Sequence, residues 1–425
     1  MEMLRRELRS SKYSSRPMLG SFSACRNVTG ILSDTRSLAR ILHEHGAFAC
    51  FDFAASGPYV QIDLRSGELE GYDAVFLSTH KFVGGPGTPG ILLMSKSLYY
   101  LSSSPPSTCG GGTVCFVNCF NEKDTVYYDD IEEREHAGTP PIVQKIRASL
   151  AFWVKEYMGN HLIETREKMW TDRALQRLLP NPNVLGNTSV KRQPIISFLI
   201  YTASLDREKE SRDKSAYMWR ERATMKDKPL HGRRFVTKLL NDLFGIQARG
   251  GCACAGPYGH ILLNVDNEQS LAFRAAIQKG HNGLKPGWTR ISFSYCMSIT
   301  EFEFVLAAIE FLAMYGQRLL PLYSFNWKTG DWTFRKNVLK NVEGEEHVLN
   351  LIKNLKVTGT QTLGGGGGGA PCSYGSNDSS ETGGYEDKYK MYLETASYVA
   401  RSLPKFPPKR RVPEGVNPDL ITFRI

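Results

Sequence analysis

Four consecutive residues, Ser78-Thr79-His80-Lys81, combine two hydroxyls, an imidazole and a primary amine. The apolar run Ala74-Val75-Phe76-Leu77 leads into them, and the turn Gly84-Gly85-Pro86-Gly87-Thr88-Pro89-Gly90 follows. A buried strand ending in a glycine-rich turn presents a lysine at its carboxyl end. Burial there favours the neutral amine, the form that attacks a carbonyl. Lys81 is thus suited to a Schiff base with pyridoxal phosphate, with Ser78 and His80 able to donate to the phosphate. Asp52, upstream, can pair with a pyridinium nitrogen and keep it protonated, which makes the ring an electron sink. Either residue alone is an ordinary surface lysine or turn aspartate; the combination points to the cofactor.

The surrounding elements place these residues. Asp34 to His45 reads as an amphipathic helix, capped by Asp34 and ended by Gly46. Ala47 to Phe53 is a short apolar run between glycines, hence a buried strand, and Ala74 to Ser78 is another. Gln61 to Leu64 is expected as a further short strand. Strands alternating with helices predict an α/β fold with a mainly parallel sheet, in which Asp52 and Lys81 lie where ligands bind, at the carboxyl ends of strands. A long helix is predicted over Ile142 to Met158, after a proline start. Further on come a strand at Pro194 to Tyr201, a helix at His231 to Phe244 and a strand at Thr289 to Ser294. A helix over Phe302 to Tyr315 is expected to open on a capping box of Thr300 with Glu303.

The expected organisation is a large domain over 1–160 and a smaller α+β domain over 161–320, with a charged insertion at 203–230. An extension over 321–425 contains a glycine-rich, disordered linker at 360–385, with six glycines at Gly364 to Gly369. A short amphipathic helix, Glu386 to Leu403, follows, and the proline-rich basic end is expected to be mobile.

Bulk properties narrow the class. The chain has 425 residues, with 41% hydrophobic and 23% charged, as in ordinary globular proteins. No apolar run approaches the ~18 residues of a membrane span. Met1 to Leu8 reads as a charged helix with no apolar core like that of a signal peptide. The net charge of +10 lies partly in the tail, at Lys405 and Lys409-Arg410-Arg411, and reads as a solvated surface. No aromatic-interleaved basic motif indicates nucleic acid. Nine cysteines without a secretory signal argue for reduced thiols and a cytoplasmic protein. Neither Cys109, Cys115 and Cys119 nor Cys252-Ala253-Cys254 forms a zinc pattern, so no metal site is expected.

Several segments in order resemble the class V aminotransferase group of fold-type I pyridoxal-phosphate enzymes, which includes cysteine desulfurases and selenocysteine lyases. Ser78-Thr79-His80-Lys81 resembles the family's cofactor-lysine motif. Asn27-Val28-Thr29-Gly30 resembles an Asn-Val-x-Gly turn, and Asp52-Phe53-Ala54-Ala55 an Asp-x-Ala-x segment. Glu135-His136-Ala137-Gly138-Thr139-Pro140 resembles Glu-Ala-Gly-Thr-Pro with His136 inserted. Arg249 to Pro257 resembles the loop bearing the desulfurase cysteine, and Thr289-Arg290-Ile291-Ser292 the segment with a carboxylate-binding arginine.

The resemblance implies roles. Lys81 would bind the cofactor covalently and move protons at the substrate α-carbon. Asp52 would pair with the ring nitrogen, Asn27 with the ring hydroxyl, and Ser78 and His80 with the phosphate. Thr113, at the end of Gly110-Gly111-Gly112-Thr113, would approach the phosphate of a partner subunit in a homodimer. Arg290 would bind the α-carboxylate of a cysteine-like substrate. Cys254 would take its sulfur as a persulfide, aided by Arg249, and pass it to a sulfur-acceptor protein.

There are departures too. The family's glutamine three residues after the aspartate is Ala55. Only 26 residues precede Asn27, and they hold neither the phosphate-gripping loop nor the ring-stacking histidine of the family. The resemblance therefore implies an N-terminally truncated, incomplete large domain. Three readings stay open: a desulfurase-type enzyme of which this is a partial version; another class V enzyme (aminotransferase, lyase or epimerase) in which Cys254 is incidental; and a non-catalytic remnant acting through a partner.

Overall fold

The computed structural model describes residues 1–10, 16–99, 105–108, 110–179, 184–185, 191–201, 228–335, 379–407 and 410–425. Most of the charged insertion at 203–230, the glycine run Gly364 to Gly369, Cys109 and Lys409 lie outside these residues. The chain divides into two compact units. One comprises Met1–Arg26 and Ile31–Arg166; the other comprises Asn27–Gly30 and Glu167–Ile425. Among the described residues no helix is long and apolar enough to cross a membrane.

The first unit is built on a four-stranded sheet: β1 (Leu19–Ser23), β2 (Phe48–Asp52), β3 (Ala74–Ser78) and β4 (Gly90–Met94), in that order. β1, β2 and β3 are parallel and β4 is antiparallel to β3, so the sheet is mainly parallel as expected. Helix α1 (Glu2–Leu8) packs Leu4 and Leu8 on the core of this unit. Helix α2 (Thr35–His43) is capped by Asp34, whose side chain accepts from the Ser37 amide at 3.1 Å. It buries Ala39 and Leu42 against Ala49, Phe51 and Val75. Periodicity alone accounts for this packing: the helix turns one apolar stripe inward, and the strands are apolar where they meet it.

The strand expected at Gln61 to Leu64 does not form. β2 and β3 pair directly, leaving no place between them. Arg36 Nη2 also takes the Asp63 carbonyl, at 2.6 Å, that a ladder would need.

Beyond the sheet lie the hairpin β5 (Val114–Phe116) and β6 (Val126–Tyr127), then α3 (Ile131–Glu135) and α4 (Ile142–Met158). α4 has the predicted bounds, and Ala148, Ala151 and Lys155 are buried on it. The division between units falls within α5 (Asn160–Leu178).

The second unit carries an antiparallel sheet of β7 (Val184–Leu185), β8 (Ile195–Ile200), β9 (Arg249–Gly251) and β10 (Trp288–Ser292), in the order β7-β8-β10-β9. Every residue of β8 is buried, so this strand is covered on both faces. Helices α6 (Phe235–Phe244), α7 (Gly256–Leu262), α8 (Asn267–Gln278) and α9 (Ile299–Tyr315) follow, with the hairpin β11 (Tyr323–Phe325) and β12 (Trp332–Phe334). α6 begins four residues after the predicted start; His231 instead packs beneath the hairpin, with Trp332 Nε1 donating to its Nδ1 at 2.8 Å.

The capping box of α9 is Ser298 with Glu301, not Thr300 with Glu303. Ser298 Oγ accepts from the Glu301 amide at 3.1 Å, and Glu301 accepts from the Ser298 amide at 2.9 Å. Glu303 is engaged elsewhere, in an ion pair with Arg177.

The C-terminal helix Ser379–Arg401 buries Ala396, Val399 and Ala400 in the main core, beside Phe304 and Leu306. The final residues are packed rather than mobile. Val416, Leu420, Ile421, Phe423 and Ile425 form a buried cluster with Phe273 and Leu284. The Arg424 amide donates to the Pro229 carbonyl at 2.7 Å, and Arg410 donates to the carbonyls of Leu320 and Tyr323. Apolar residues spaced among the prolines and basic residues anchor this end, so its composition was a poor guide to its order.

Candidate functional site

In the first unit, Asp52 closes β2 and Ser78 closes β3. The strands run parallel with Asp52 opposite Phe76, so both residues lie at the same edge of the sheet. Asp52 is exposed, and its Oδ1 accepts from the Ala54 amide at 2.7 Å. Thr79 to Lys81 form a short 3-10 turn after Ser78.

The four-residue motif splits by exposure. Thr79 is buried, and its hydroxyl donates to the Pro89 carbonyl. Thr88 Oγ1 lies 2.9 Å from Thr79 Oγ1 and 2.7 Å from the Gly85 carbonyl. Gly85 packs so tightly that a Cβ would fall 2.0 Å from the Thr79 carbonyl oxygen. Thr79 and Thr88 thereby fold the loop on itself, and Ser78, His80 and Lys81 are left at least partly open. Lys81 is exposed, where the sequence reading expected burial at a strand end.

Thr113 is buried and its hydroxyl donates to the Gly110 carbonyl at 2.8 Å. Glu135 of the Glu-His-Ala-Gly-Thr-Pro segment accepts from the Ser107 amide at 3.1 Å and from the Tyr99 hydroxyl. These hydrogen bonds hold its carboxyl below the ordinary range against the opposing effect of burial.

Sequence reasoning gave no role to Lys155. It is buried on the inner face of α4, and its Nζ donates to the carbonyls of Gly57 at 2.8 Å and Val60 at 2.5 Å. It therefore pins the turn that follows Asp52. It also lies 5.8 Å from the ring of Phe82, the residue after Lys81. Burial pushes its amine below the ordinary lysine value. The available signal was its helical spacing: Lys155 shares a stripe with Ala148 and Ala151.

The second unit gathers four other residues. Asn27 to Gly30 belong to this unit even though residues on both sides belong to the first. Val28 is fully buried among Leu199, Tyr201, Ala253 and Trp288. Ser197 Oγ donates to the Val28 carbonyl at 2.6 Å, and the Gln193 amide to the Gly30 carbonyl at 2.9 Å. Asn27 Nδ2 donates to the Ala253 carbonyl at 2.7 Å, and Arg290 Nη1 to the Asn27 carbonyl at 2.8 Å.

Pairing of β9 with β10 sets Arg249 opposite Arg290. Arg249 Nη2 donates to Cys254 Sγ at 3.0 Å. Cys254 is exposed, two residues before α7, and Ala253 and Cys254 both adopt left-handed backbone, with φ of 52° and 60°. Two successive non-glycine residues in that region are uncommon, and such strain concentrates at functional sites. Asn27, Arg249, Cys254 and Arg290 are thus joined by hydrogen bonds and strand register within one unit. Asp52, Ser78, His80, Lys81 and Thr113 belong to the other unit.

The donor set of the first unit fits pyridoxal phosphate. It offers an exposed carboxylate for a ring nitrogen, a hydroxyl and an imidazole for a phosphate, and a primary amine for an aldehyde. These lie at neighbouring parallel strand ends, the usual ligand-binding edge of such sheets. The residues that could hold the group are Asp52, Ser78, His80 and Lys81.

Known proteins are similar to this chain in sequence and in fold. The family model for aminotransferase class-V matches residues 5–216. A probable cysteine desulfurase of Halalkalibacterium halodurans is 30% identical over 174 residues, covering 41% of this chain and 40% of that protein. One from Streptomyces coelicolor is 27% identical over 183 residues, covering 42% and 41%. The chain thus spans about 40% of the length of these curated relatives. Among solved structures, the apo cysteine desulfurase of Thermococcus onnurineus aligns over 73% of this chain and 62% of its own, with a TM-score of 0.52 and 22% identity. A cysteine desulfurase of Escherichia coli aligns over 72% and 61%, with a TM-score of 0.50 and 19% identity. These two establish likeness of fold.

Proposed function

The chain belongs to the aminotransferase class-V family, and from that premise we propose that it carries the residues of a cysteine desulfurase, moving sulfur from cysteine to Cys254. The observation that supports this most is the contact of Arg249 with Cys254, on a strained loop just before a helix. The guanidinium N–H donated to sulfur holds the exposed thiol in a fixed orientation on that loop.

Pyridoxal phosphate, when bound, supplies an electron sink at the substrate α-carbon. Asp52 would keep the ring nitrogen protonated, and Ser78 and His80 would hold the phosphate. Asn27 would meet the ring hydroxyl, Thr113 would serve the phosphate, and Lys81 would hold the aldehyde carbon and shuttle the α-proton. Arg290 is suited to the substrate carboxylate, because a planar guanidinium binds it in two-point fashion. The Cys254 thiolate attacks the substrate sulfur. A sulfur–sulfur bond forms, the carbon–sulfur bond breaks, and its electron pair stays on the carbon that is protonated to give alanine. The products are alanine and a Cys254 persulfide, which a sulfur-acceptor protein would unload.

The test is to mix the full chain with pyridoxal phosphate and follow a visible absorption band. The band should form with the wild-type chain and be absent in Lys81→Ala. Alanine release from cysteine should vanish in Cys254→Ser while the band persists. No band overturns the cofactor assignment; alanine release unchanged in Cys254→Ser, with the band present, overturns the desulfurase assignment and favours another class V reaction.

A further inference from the structure

Cys252 and Cys254 are both free, exposed thiols on the loop after β9, separated by one residue. The sulfur transfer proposed for Cys254 gives Cys252 no role, yet the backbone holds the two as a pair. The Ala255 amide donates to the Cys252 carbonyl at 3.0 Å, so residues 252–255 form a hydrogen-bonded turn. Its central residues, Ala253 and Cys254, have φ of 52° and 60°, the pattern of a type I′ turn. Left-handed helical backbone mirrors the right-handed helix, which sets alternate Cα atoms about 5.4 Å apart. That separation lies inside the ~4.4–6.8 Å that a disulfide spans.

The turn also faces both thiols outward. Ala253 is buried beside Val28, Leu199 and Trp288, and its carbonyl accepts from Asn27 Nδ2 at 2.7 Å. Cys252 and Cys254 flank this anchor and are exposed. The approach to the turn is fixed as well: Gly251 pairs with Trp288 of β10 and lies against the side chain of Arg233. Arg233 is itself held by Nη1 donating to the Asn282 carbonyl at 2.7 Å. On the far side, Arg249 Nη2 orients Cys254 Sγ.

A thiol kept this close to a persulfide can resolve it. We propose that Cys252 discharges a sulfane sulfur carried by Cys254, releasing it as hydrosulfide and closing a Cys252–Cys254 disulfide. The Cys252 sulfur attacks Cys254 Sγ, and its proton passes to solvent. The bond between the two cysteine sulfurs forms, the bond from Cys254 Sγ to the outer sulfur breaks, and that electron pair leaves on hydrosulfide. The Cys252 sulfur is oxidised and the outer sulfur reduced, so no external oxidant is consumed. Hydrosulfide leaves more readily than a cysteine thiolate, which favours attack at Cys254 Sγ over attack at the outer sulfur. The step rests on the proposed loading of Cys254 with sulfur. A sulfur acceptor must then compete with Cys252; without one, the loop releases sulfide and stays closed until a dithiol reductant reopens it by exchange.

The probe is sodium tetrasulfide, which loads thiols with sulfane sulfur without any cofactor, applied anaerobically to the full chain and then removed. The alkylated tryptic peptide Gly250–Arg274 carries these two cysteines and no others, and its mass separates persulfide from disulfide. The wild-type chain should yield the internal disulfide, reopened by dithiothreitol. Cys252→Ser should keep the Cys254 persulfide, with a lifetime longer by about tenfold or more, the effect of removing an intramolecular nucleophile. A lasting Cys254 persulfide in wild type, closure only between chains, or equal persulfide lifetimes in the two chains would each overturn the assignment. Should Cys252→Ser lose its circular-dichroism signature of folding, the wild-type peptide mass decides by itself. Disulfide closure without alanine release from cysteine overturns the desulfurase reading alone; a lasting persulfide with alanine release intact overturns the Cys252 step alone.

Discussion

Arg249 Nη2 stands 3.0 Å from Cys254 Sγ, five residues along the chain. The loop between them leaves β9 and turns through two left-handed residues, which brings the thiol back to the guanidinium. The N–H donated to sulfur holds the thiol in one orientation on the loop. Arg249→Ala should therefore slow alkylation of Cys254 by iodoacetamide by about 3- to 10-fold, because the thiol loses the contact that orients it. Cys252, on the same exposed loop, serves as the internal comparison, read by mass spectrometry of the labelled peptide. Equal slowing at both cysteines would attribute the effect to loop disorder.

Lys155 holds the turn after Asp52 by donating to Gly57 and Val60. Lys155→Met keeps the volume of the stem and removes both bonds. Charged hydrogen bonds of this kind contribute about 1.5–3 kcal/mol, and relief of the buried charge offsets part of the loss. The expected net destabilisation is about 1–2 kcal/mol, measured by urea unfolding. Amide exchange over 53–60 should accelerate more than exchange in β1.

Gly85 is the position where the Lys81 loop tolerates no side chain. A Cβ there would fall 2.0 Å from the Thr79 carbonyl oxygen, a rigid backbone atom. Gly85→Ala should cost about 2 kcal/mol or more through forced backbone movement. Gly84→Ala offers the contrast: nothing lies within 4 Å of its Cβ position, and its penalty comes from the positive φ of 77°. Thermal melts of the two variants separate a clash from a dihedral cost, with Gly85→Ala the lower-melting.

His231 gives stability a pH dependence. Its pKa falls from 6.5 to about 3 in the folded chain, because burial and the neighbouring Arg233 and Arg234 disfavour the cation. Below pH 6.5 the unfolded chain takes up a proton that the folded chain refuses until about pH 3. Stability is thus lost as pH falls through that window, by up to about 1.4 kcal/mol per pH unit from this group. Denaturant unfolding from pH 7 to pH 4 should show a shallower decline in His231→Phe than in wild type. Parallel declines would assign the pH dependence to other groups.

Local patterns in the sequence carried much of the architecture. The stripe of Leu38, Ile41 and Leu42 and the cap at Asp34 define α2, and the apolar run before Ser78 defines β3. Residues 142–158 form the predicted helix because their composition resists breaking until Gly159. The chemistry-bearing residues were legible by type and spacing for the same reason: Ser78, His80 and Lys81 are neighbours, as are Arg249 and Cys254.

What escaped were the choices that depend on distant partners. Whether Ser298 or Thr300 caps α9 turns on Glu303 being held by Arg177, 126 residues away. Arg36 denied Gln61 to Leu64 a strand, and apolar contacts with Phe273 and Leu284 ordered a tail that reads as mobile. The sequence by itself determined which helices and strands can form and which reactive side-chain types stand together in its motifs, because propensity, periodicity and spacing act over a few residues. Only the tertiary structure decided that Asn27 to Gly30 pack in the second unit, with Asn27 bonded to Ala253 and Arg290 across 226 and 263 positions. Such contacts follow from burying Val28 beside Trp288, a packing choice that no local pattern encodes.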